Sequence, residues 1–226
     1  MKNVSVAIDG PAAAGKSTIA KRVAAILGYV YIDTGAMYRA FTWAVMEAGL
    51  DCQDEKASCS LIGKVAITLE EDGHVICNGN DVTRAIREPR VSGNVSYIAS
   101  YKDIRLELVE MQRALAKSKS VVMDGRDIGT YVLPKAEVKI YQIASVECRA
   151  KRRYDENLLK GIPTSMEDVI ADVKKRDYID SHRDFAPLRQ AEDAIALDTS
   201  EMTIEEVVEA VLKIIHEKTG VEIPCH

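Results

Sequence analysis

The sequence contains no apolar run near the ~18 residues that a membrane-spanning helix requires. It also has no excess of positive charge, because 30 Lys and Arg are set against 35 Asp and Glu in a chain of 226 residues. The formal charge of −5 argues against bulk electrostatic binding to nucleic acid or to a membrane surface. No signal peptide is expected either, since Met1–Asn3 lead straight into the first predicted strand.

Cysteine and histidine spacings typical of zinc sites are also absent. The cysteines are odd in number and scattered, which favours reduced thiols in a cytoplasm over a disulfide framework. No internal repeat or low-complexity linker divides the chain, and its length suits one sizeable α/β domain. We interpret all cysteines and histidines as surface or partly buried groups: Cys52, Cys59, Cys77, Cys148, Cys225, His74, His182, His216 and His226.

The most informative segment that is present runs from Ile8 to Thr18 and reads IDGPAAAGKST. It fits the pattern G-x-x-x-x-G-K-[ST], in which glycines let several backbone N–H groups converge on phosphate oxygens. We expect Lys16 to reach the β- and γ-phosphates of a nucleoside triphosphate and Ser17 to ligate Mg²⁺. The alternative is a Gly/Ala-rich turn that merely contains a lysine. The predicted phosphate-binding residues are Gly10, Pro11, Ala12, Ala13, Ala14, Gly15, Lys16, Ser17 and Thr18.

Short apolar runs that alternate with helical segments predict the fold class. The alternation indicates an α/β fold with a five-stranded parallel sheet covered by helices on both faces. Residues 65–84 differ, because two short β-rich runs flank the turn residues 70–73. We interpret this segment as a small β insertion with a turn at 78–81 and a possible third strand at 82–83. The sheet strands are predicted at 4–8, 29–32, 121–123, 137–143 and 194–197.

Helical spacing of apolar residues predicts the segments between the strands. The first helix follows the glycine-rich segment and ends at Gly28, and the second ends at Gly49. Near the C-terminus, Thr203 precedes two glutamates that suit the first turn of a final helix. The second helix is predicted at 36–48, and the remaining helices are predicted at 53–65, after Asp103, at 146–160 and at 165–178.

Charged residues follow two predicted strands, at the edge where open α/β sheets place ligand sites. Thr34 could cap the next helix or contact a ligand, and Arg39 could be a surface charge or bind phosphate. Asp124 ends an apolar run and resembles the carboxylate that orders Mg²⁺ through water beside a P-loop. Arg126 and Asp127 could face one cleft or form a local ion pair in a turn.

Six arginines cluster between positions 149 and 189. Arginine binds phosphate in a bidentate manner and stabilises charge on a phosphoryl group during its transfer. Arg149 and Arg153 share a helix face, and Gly161–Pro163 breaks the segment into two helices, as a closing lid requires. The alternative is an ordinary solvated helical hairpin. The arginines concerned are Arg149, Arg152, Arg153, Arg176, Arg183 and Arg189.

Taken together, these segments resemble the bacterial cytidylate kinases, a family of P-loop nucleoside monophosphate kinases. The resemblance runs nearly end to end, and DTGAMYR and DGRDIGT are more specific than the phosphate-binding pattern. It implies a P-loop core at 1–33, 97–148 and 179–226, an acceptor-nucleotide region at 34–96 and a helical lid at 149–178. It rests on Ile8–Pro11, Gly15–Thr18, Asp33–Arg39, Asp124–Thr130, Lys175–Asp177 and Ala186–Leu188.

The resemblance implies phosphorylation of CMP and dCMP by MgATP, so ATP and Mg²⁺ are the expected cofactors. It places Ser96, Arg105 and Asp127 against the cytosine base. The implied substrate-binding residues are Thr34, Arg39, Ser96, Arg105, Arg126, Asp127, Arg176, Asp180 and Arg183. The implied catalytic residues are Lys16, Arg126, Arg149, Arg153 and Arg183, and the metal-binding residues are Ser17 and, through water, Asp124.

The chemistry of the two pyrimidines explains why a carboxylate would select cytosine. Asp127 can accept from the cytosine N4 amino group, whereas uracil presents a carbonyl there and leaves buried groups unpaired. No general base is needed, because the attacking phosphate oxygen is already anionic. We expect a monomer that works on small nucleotides.

Three alternatives to this function remain open from the residues. The nearest is another small-molecule kinase, such as an adenylate, uridylate or shikimate kinase. A nucleotide-dependent switch is the second, although no Asn-Lys-x-Asp segment that reads guanine is present. A non-catalytic nucleotide-binding module is the third, and the supply of arginine counts against it.

Overall fold

The computed structural model describes residues 3–70, 72–159 and 161–224. Its strands are β1 (Ser5–Asp9), β2 (Val30–Asp33), β3 (Ile67–Leu69), β4 (Val75–Cys77), β5 (Asn80–Asp81), β6 (Val121–Gly125), β7 (Val138–Ile143) and β8 (Ile195–Asp198). Its helices are α1 (Lys16–Leu27), α2 (Thr34–Glu47), α3 (Glu55–Cys59), α4 (Pro89–Ser92), α5 (Val95–Ile98), α6 (Lys102–Ala116), α7 (Val146–Leu159), α8 (Met166–His182) and α9 (Ile204–Thr219).

The central sheet is five-stranded and parallel throughout, in the order β2–β6–β1–β7–β8. The predicted sheet is therefore confirmed, and each strand lies within one or two residues of its predicted position. Asp124 of β6 is in register with Ile8 of β1 on one side and Asp33 of β2 on the other. The carboxyl ends of these three strands consequently meet at one edge of the sheet, where the next segments converge.

Alternate residues of the strands enter two different cores, because successive side chains of a strand point to opposite faces. Val6 and Ile8 pack with α1 and α9 on one face. Ala7 and Met123 pack on the other face, against Val109 of α6 and a π-helical turn at 128–132. Helices cover both faces, as the alternating pattern predicts.

A small antiparallel sheet, β3–β4–β5, confirms the predicted β insertion. The predicted third strand at 82–83 is wrong, because β5 lies at Asn80–Asp81. Asn78 and Gly79 both have left-handed backbone angles, with φ of 49° and 81°. They form a two-residue hairpin turn that pairs Asn80 directly with Cys77. Glu71, in the other predicted turn, lies outside the described residues.

Helix boundaries depart from the sequence predictions where local capping decides them. The helix expected at 36–48 begins at Thr34, because the Asp33 side chain accepts from the Ala36 N–H and forms the N-cap. Thr34 is therefore not the cap. The helix expected over 53–65 is confined to α3, and the one expected over 165–178 continues to His182.

Thr203 does begin the last helix, through a capping box with Glu206. In the described part of the chain, no helix is both long and apolar enough to cross a membrane. Four cysteines are free thiols, and Cys225 and His226 lie outside the described residues.

Candidate active site

The glycine-rich segment forms a tight turn between β1 and α1. A Cβ on Gly10 would overlap the Gln142 carbonyl oxygen, and φ is 152° there, so glycine is required at this position. Gly15 also has a left-handed φ of 86° and immediately precedes Lys16, the first residue of α1. The loop therefore presents its backbone N–H groups at the N-terminus of a helix, which is the geometry that binds phosphate.

Lys16 is buried beneath this loop, and its Nζ donates to the Pro11 carbonyl oxygen at 2.7 Å. Burial, and then the charge of Arg126, lower the pKa of Lys16 from 10.5 to about 7. A polyanion beside the amine favours its charged form, so phosphate binding and protonation of Lys16 reinforce each other. The side chain is thus suited to a phosphate chain rather than to a neutral ligand.

Ser17 and Asp124 meet at the end of the loop. The Ser17 hydroxyl donates to Asp124 Oδ2 at 2.8 Å, and the Tyr31 hydroxyl donates to Oδ1 at 2.9 Å. Burial, and then nearby Asp33, raise the pKa of Asp124 from 3.8 to about 6. A neighbouring divalent cation would relieve this cost, because it stabilises the carboxylate.

The Ser17 and Asp124 oxygens suit Mg²⁺ better than they suit a metal ion whose ligands all come from the protein. Mg²⁺ binds through one or two protein oxygens together with waters and substrate phosphates. Ser17 and Asp124 supply that number of oxygens beside the phosphate-binding turn. In the described ranges, no group of three or more His, Cys, Asp or Glu side chains could hold a metal ion. Metal binding here would therefore depend on a phosphate ligand.

A cavity extends from this loop between α2, α5, α7 and α8. It gathers most of the candidate residues from segments that are far apart in sequence. Four residues of the predicted phosphate loop, Gly10, Pro11, Ala12 and Ala14, do not line it. Those that do are Ala13, Gly15, Lys16, Ser17, Thr18, Thr34, Arg39, Ser96, Arg105, Asp124, Arg126, Asp127, Arg153, Arg176, Asp180 and Arg183.

One end of the cavity contains a buried ion-pair cluster around Asp127. Arg105 Nη2 donates to one oxygen of Asp127, and Arg183 Nη2 donates to the other at 3.3 Å. Among the described residues, Ser96 Oγ, Arg105 Nε and the Tyr38 hydroxyl are buried there without a hydrogen-bond partner. Unpaired buried polar atoms are costly, so this end of the cavity suits a ligand with a polar edge.

Another part of the cavity lining consists of guanidinium groups. Arg126 Nε donates to Asp180 Oδ2 at 2.7 Å, and Arg39 is paired with Asp33 at 3.2 Å. Arg176 Nε is buried with no partner in the described chain, and burial followed by the charge of Arg126 lowers its pKa to about 10. Positive charges crowded together in this way favour an anion between them.

Asp180 balances part of this positive charge. Burial alone would raise its pKa, but the charges of Arg126, Arg183 and Arg176 outweigh that effect and hold the pKa below its ordinary value. Asp180 therefore stays ionised and fixes the guanidinium group of Arg126 by a hydrogen bond. Arg126 Nη1 makes a further, longer hydrogen bond to the Gly125 carbonyl at 3.4 Å, and the side chain lines the cavity.

Arg149 does not line the cavity, although it shares a helix with Arg153, which does. Its Nη1 donates to the Ala12 carbonyl at 2.9 Å, and its Nη2 pairs with Asp177 at 2.7 Å. Asp177 in turn accepts from the Ala12 N–H at 3.3 Å. Arg149 and Asp177 thus hold both polar groups of one loop residue.

Several contacts of the site were not identified from the sequence. Asp33 caps α2 and pairs with Arg39, whereas the sequence suggested Thr34 as the cap and gave Arg39 no partner. Arg152 donates to the carbonyls of Ala14, at 3.2 Å, and Thr199, at 2.7 Å. Such contacts join distant segments, and no local pattern signals them. Thr34, considered as a cap, instead donates its hydroxyl proton to the Asp124 carbonyl at 2.7 Å.

Comparison with known proteins gives one consistent result. The family model described as "Cytidylate kinase" matches residues 6–217. The cytidylate kinase of Geobacillus kaustophilus is 52% identical over 222 residues, covering 97% of this chain and 99% of that protein. The cytidylate kinase of Bacillus subtilis is 50% identical over 221 residues, covering 96% and 99%.

The solved structures agree on the fold. A gluconokinase from Sinorhizobium meliloti superposes with a TM-score of 0.52 at 12% identity, covering 95% of this chain and 92% of that one. This likeness shows a shared kinase-type fold and nothing about the substrate. The sequence relatives are far closer and span almost the whole chain. On their evidence, the chain belongs to the cytidylate kinase family.

Proposed function

We propose that this protein transfers the γ-phosphoryl group of MgATP to CMP and dCMP, forming CDP and dCDP. The observation that carries the proposal is the cavity itself. It joins a phosphate-binding turn, a ring of guanidinium groups and a buried carboxylate with unpaired polar neighbours in one continuous space. A triphosphate, an acceptor phosphate and a polar base need such sites in that order.

We place the triphosphate on the turn that precedes α1. Lys16 contacts the β- and γ-phosphates, and Ser17, with Asp124 acting through water, holds the metal. When bound, Mg²⁺ neutralises charge on the β- and γ-phosphates. Arg149 and Asp177 keep Ala12 fixed, so the turn is already shaped before the nucleotide arrives.

The acceptor nucleotide occupies the other half of the cavity. Arg39 and Arg126 bind its phosphate, while Arg176 and Asp180 lie beside the sugar. Arg183 contacts Asp127 and also lowers the pKa of Asp180, which puts it between the base end and the phosphate end. Thr34 fixes the start of α2 to β6 and so supports the acceptor side of the cavity.

The base is selected at the buried carboxylate. Asp127 accepts from the cytosine N4 amino group, and Ser96 and Arg105 donate to its N3 and O2 atoms. Both side chains have a buried donor atom with no partner elsewhere in the described residues, so binding satisfies them. Uracil would place a carbonyl oxygen against Asp127 and leave a buried acceptor unpaired.

Catalysis then requires position and charge stabilisation rather than proton transfer. The acceptor oxygen is anionic, and the arginines Arg126, Arg153 and Arg183 stabilise charge on the transferring group. Closure of the α7–α8 region, proposed as the lid at 149–178, would exclude water and limit hydrolysis of ATP. We also propose 34–96 as the acceptor-binding region, the remaining segments as the core, and a monomer as the working unit.

The direct test is to measure ADP production from MgATP with each nucleoside monophosphate in turn. CMP and dCMP should be used far more efficiently than UMP or AMP. Omitting Mg²⁺, or adding shikimate in place of a nucleotide, should give no turnover. A higher kcat/KM for AMP or UMP than for CMP would overturn the assignment and favour another kinase of the same fold.

A further inference from the structure

Asp9 is a buried carboxylate to which neither nucleotide site gives an obvious role. It is the last residue of β1 and directly precedes the phosphate-binding turn. Its Oδ1 accepts from the Ile128 N–H at 2.8 Å, and its Oδ2 accepts from the Gly129 N–H at 2.7 Å. Both oxygens are thus committed to the backbone of one distant turn, 119 and 120 residues away.

That turn carries the residues proposed to read the acceptor. Asp127 immediately precedes the two N–H groups, and Arg126 precedes Asp127. The Asp127 carbonyl accepts from the N–H groups of Tyr131, at 2.8 Å, and Val132, at 3.1 Å, which closes the π-helical turn. The backbone beyond Asp127 is therefore fixed on one side by its own turn and on the other by Asp9.

The turn also lies close against its support. A Cβ added to Gly129 would be 3.3 Å from Asp9 Oδ2 and 3.1 Å from Lys139 Cδ. These distances are tighter than ordinary van der Waals contact, so a Cβ at position 129 would force the side chains of Asp9 and Lys139 to move by a few tenths of an ångström. The sequence therefore has two features that serve one contact, a carboxylate at position 9 and the absence of a side chain at position 129.

We propose that Asp9 is a positioning residue that couples the two nucleotide sites, because it ties the turn bearing Arg126 and Asp127 to the strand that carries the phosphate-binding turn. The turn after β6 contacts the base and phosphate of the acceptor, and the turn after β1 contacts the donor phosphates. The coupling fixes the distance between these two turns, and in-line transfer depends on that distance. The inference rests on the proposed function for the identity of the acceptor. It does not require Asp9 to touch either nucleotide.

The first test is Asp9→Asn, which keeps the size of the side chain. Its amide oxygen can still accept from one N–H, but its amide nitrogen faces the other N–H and repels it. Losing one of these two buried hydrogen bonds should raise the KM for CMP by about tenfold and lower the CMP-to-UMP ratio of kcat/KM by about tenfold. The ATP dissociation constant, measured by calorimetry without acceptor, should change by less than about twofold, because the phosphate-binding backbone keeps its contacts.

The second test, Gly129→Ala, perturbs the same contact from the other side and leaves Asp9 intact. Like Asp9→Asn, it should weaken the binding of CMP and leave the binding of ATP unchanged. Ile215→Val is the matched control, because Ile215 is fully buried in α9 and belongs to the core on the face of the sheet opposite Ile128 and Val132. It should lower Tm without changing either nucleotide constant.

The outcomes separate positioning from a merely structural role. If Asp9→Asn and Gly129→Ala lower Tm but change the KM for CMP no more than Ile215→Val does, Asp9 only stabilises the fold and the proposal is wrong. Equal losses of ATP and CMP affinity would also overturn it, since Asp9 would then act on the phosphate-binding turn. If the native protein prefers another acceptor, the proposed function fails, but the same split can be measured with that acceptor.

Discussion

The donor end and the acceptor end of the cavity are built in different ways. The donor end is one continuous loop whose backbone N–H groups and Lys16 come from neighbouring positions. The acceptor end is assembled from side chains on α2, α5, α6, α8 and the turn after β6. A backbone site needs only glycines and a helix N-terminus, whereas the acceptor site depends on several ion pairs being correct together.

This difference explains how a kinase of this fold can keep its donor while it changes its acceptor. Phosphate recognition by backbone N–H groups needs no particular side chain, and three consecutive residues of the loop are alanine. We propose that base recognition depends on the buried pairs of Asp127 with Arg105 and Arg183, where removal of one partner leaves the others unpaired. Mutations at the donor end should therefore lower turnover with every acceptor, whereas mutations at the acceptor end should change the selectivity between acceptors.

The largest effect is expected at the donor end. Lys16→Ala removes the only side-chain charge in the phosphate-binding turn itself and should lower kcat/KM by about 10³-fold or more with every acceptor. Steady-state ADP formation measures the loss, and thermal unfolding checks that the chain still folds. Lys21→Ala, on the exposed face of α1, is the control and should stay near native activity. Normal turnover of Lys16→Ala would show that the triphosphate binds elsewhere.

A smaller but more selective effect is expected at the acceptor end. Asp127→Ala removes the acceptor for the cytosine amino group and should reduce the CMP-to-UMP ratio of kcat/KM by about 10²-fold. The substitution also leaves Arg105 and Arg183 unpaired, so stability should fall. The ratio is the proper measurement, because lost stability affects both acceptors equally. Glu205→Ala, at an exposed position, is the control and should leave the ratio unchanged. If Asp127→Ala also leaves the ratio unchanged, Asp127 does not take part in base recognition.

The pH dependence of stability tests the cost of burying Asp124 at the proposed metal site. The folded pKa of Asp124, about 6, exceeds its unfolded value of 3.8, so the carboxyl favours folding most at low pH. That contribution is lost as the pH rises from about 4 to about 6. The Asn side chain in Asp124→Asn cannot ionise, so the variant does not lose this contribution as the pH rises. Relative to that of the native protein, its unfolding free energy should therefore increase by about 2 kcal/mol across this range.

Urea unfolding of the two nucleotide-free proteins at several pH values measures this difference directly. The variant should also lose most of its Mg²⁺-dependent turnover, so that stability and activity move in opposite directions at this site. A constant difference in unfolding free energy across the pH range would mean that Asp124 is ionised without penalty in the fold.

The contrast between the two ends also decides what could be predicted from sequence. The five parallel strands and the donor loop follow from local apolar runs and one motif, and the fold confirms them. The ion pair of Arg126 with Asp180, and the partners of Asp9, join segments more than 50 residues apart, so no local spacing encodes them. Ser96, Arg105 and Asp180 were predicted only through resemblance to a family, whereas Arg39, Arg126 and Asp127 were already candidates because they follow predicted strands.

Arg149 and Arg153 show the limit of helical spacing most clearly. Their i,i+4 positions predict a shared face, yet Arg149 holds the Ala12 carbonyl and Asp177, while Arg153 faces the cavity beside Glu156. Helical spacing predicts the direction of a side chain but not the groups that it contacts. Here Arg149 contacts the phosphate-binding loop, whereas Arg153 lines the cavity.

The smallest effect therefore tests whether these two arginines act differently. Arg149→Ala frees the Ala12 backbone and should raise the KM for ATP by about tenfold while lowering Tm, because a buried pair with Asp177 is broken. Arg153→Ala should leave Tm nearly unchanged, because its side chain is partly exposed, and should lower kcat by about tenfold. Steady-state kinetics with varied ATP, together with thermal unfolding, measures both. If Arg149→Ala instead lowers kcat at unchanged KM and Tm, Arg149 reaches the transferring phosphoryl group, and the donor loop does not depend on it for its shape.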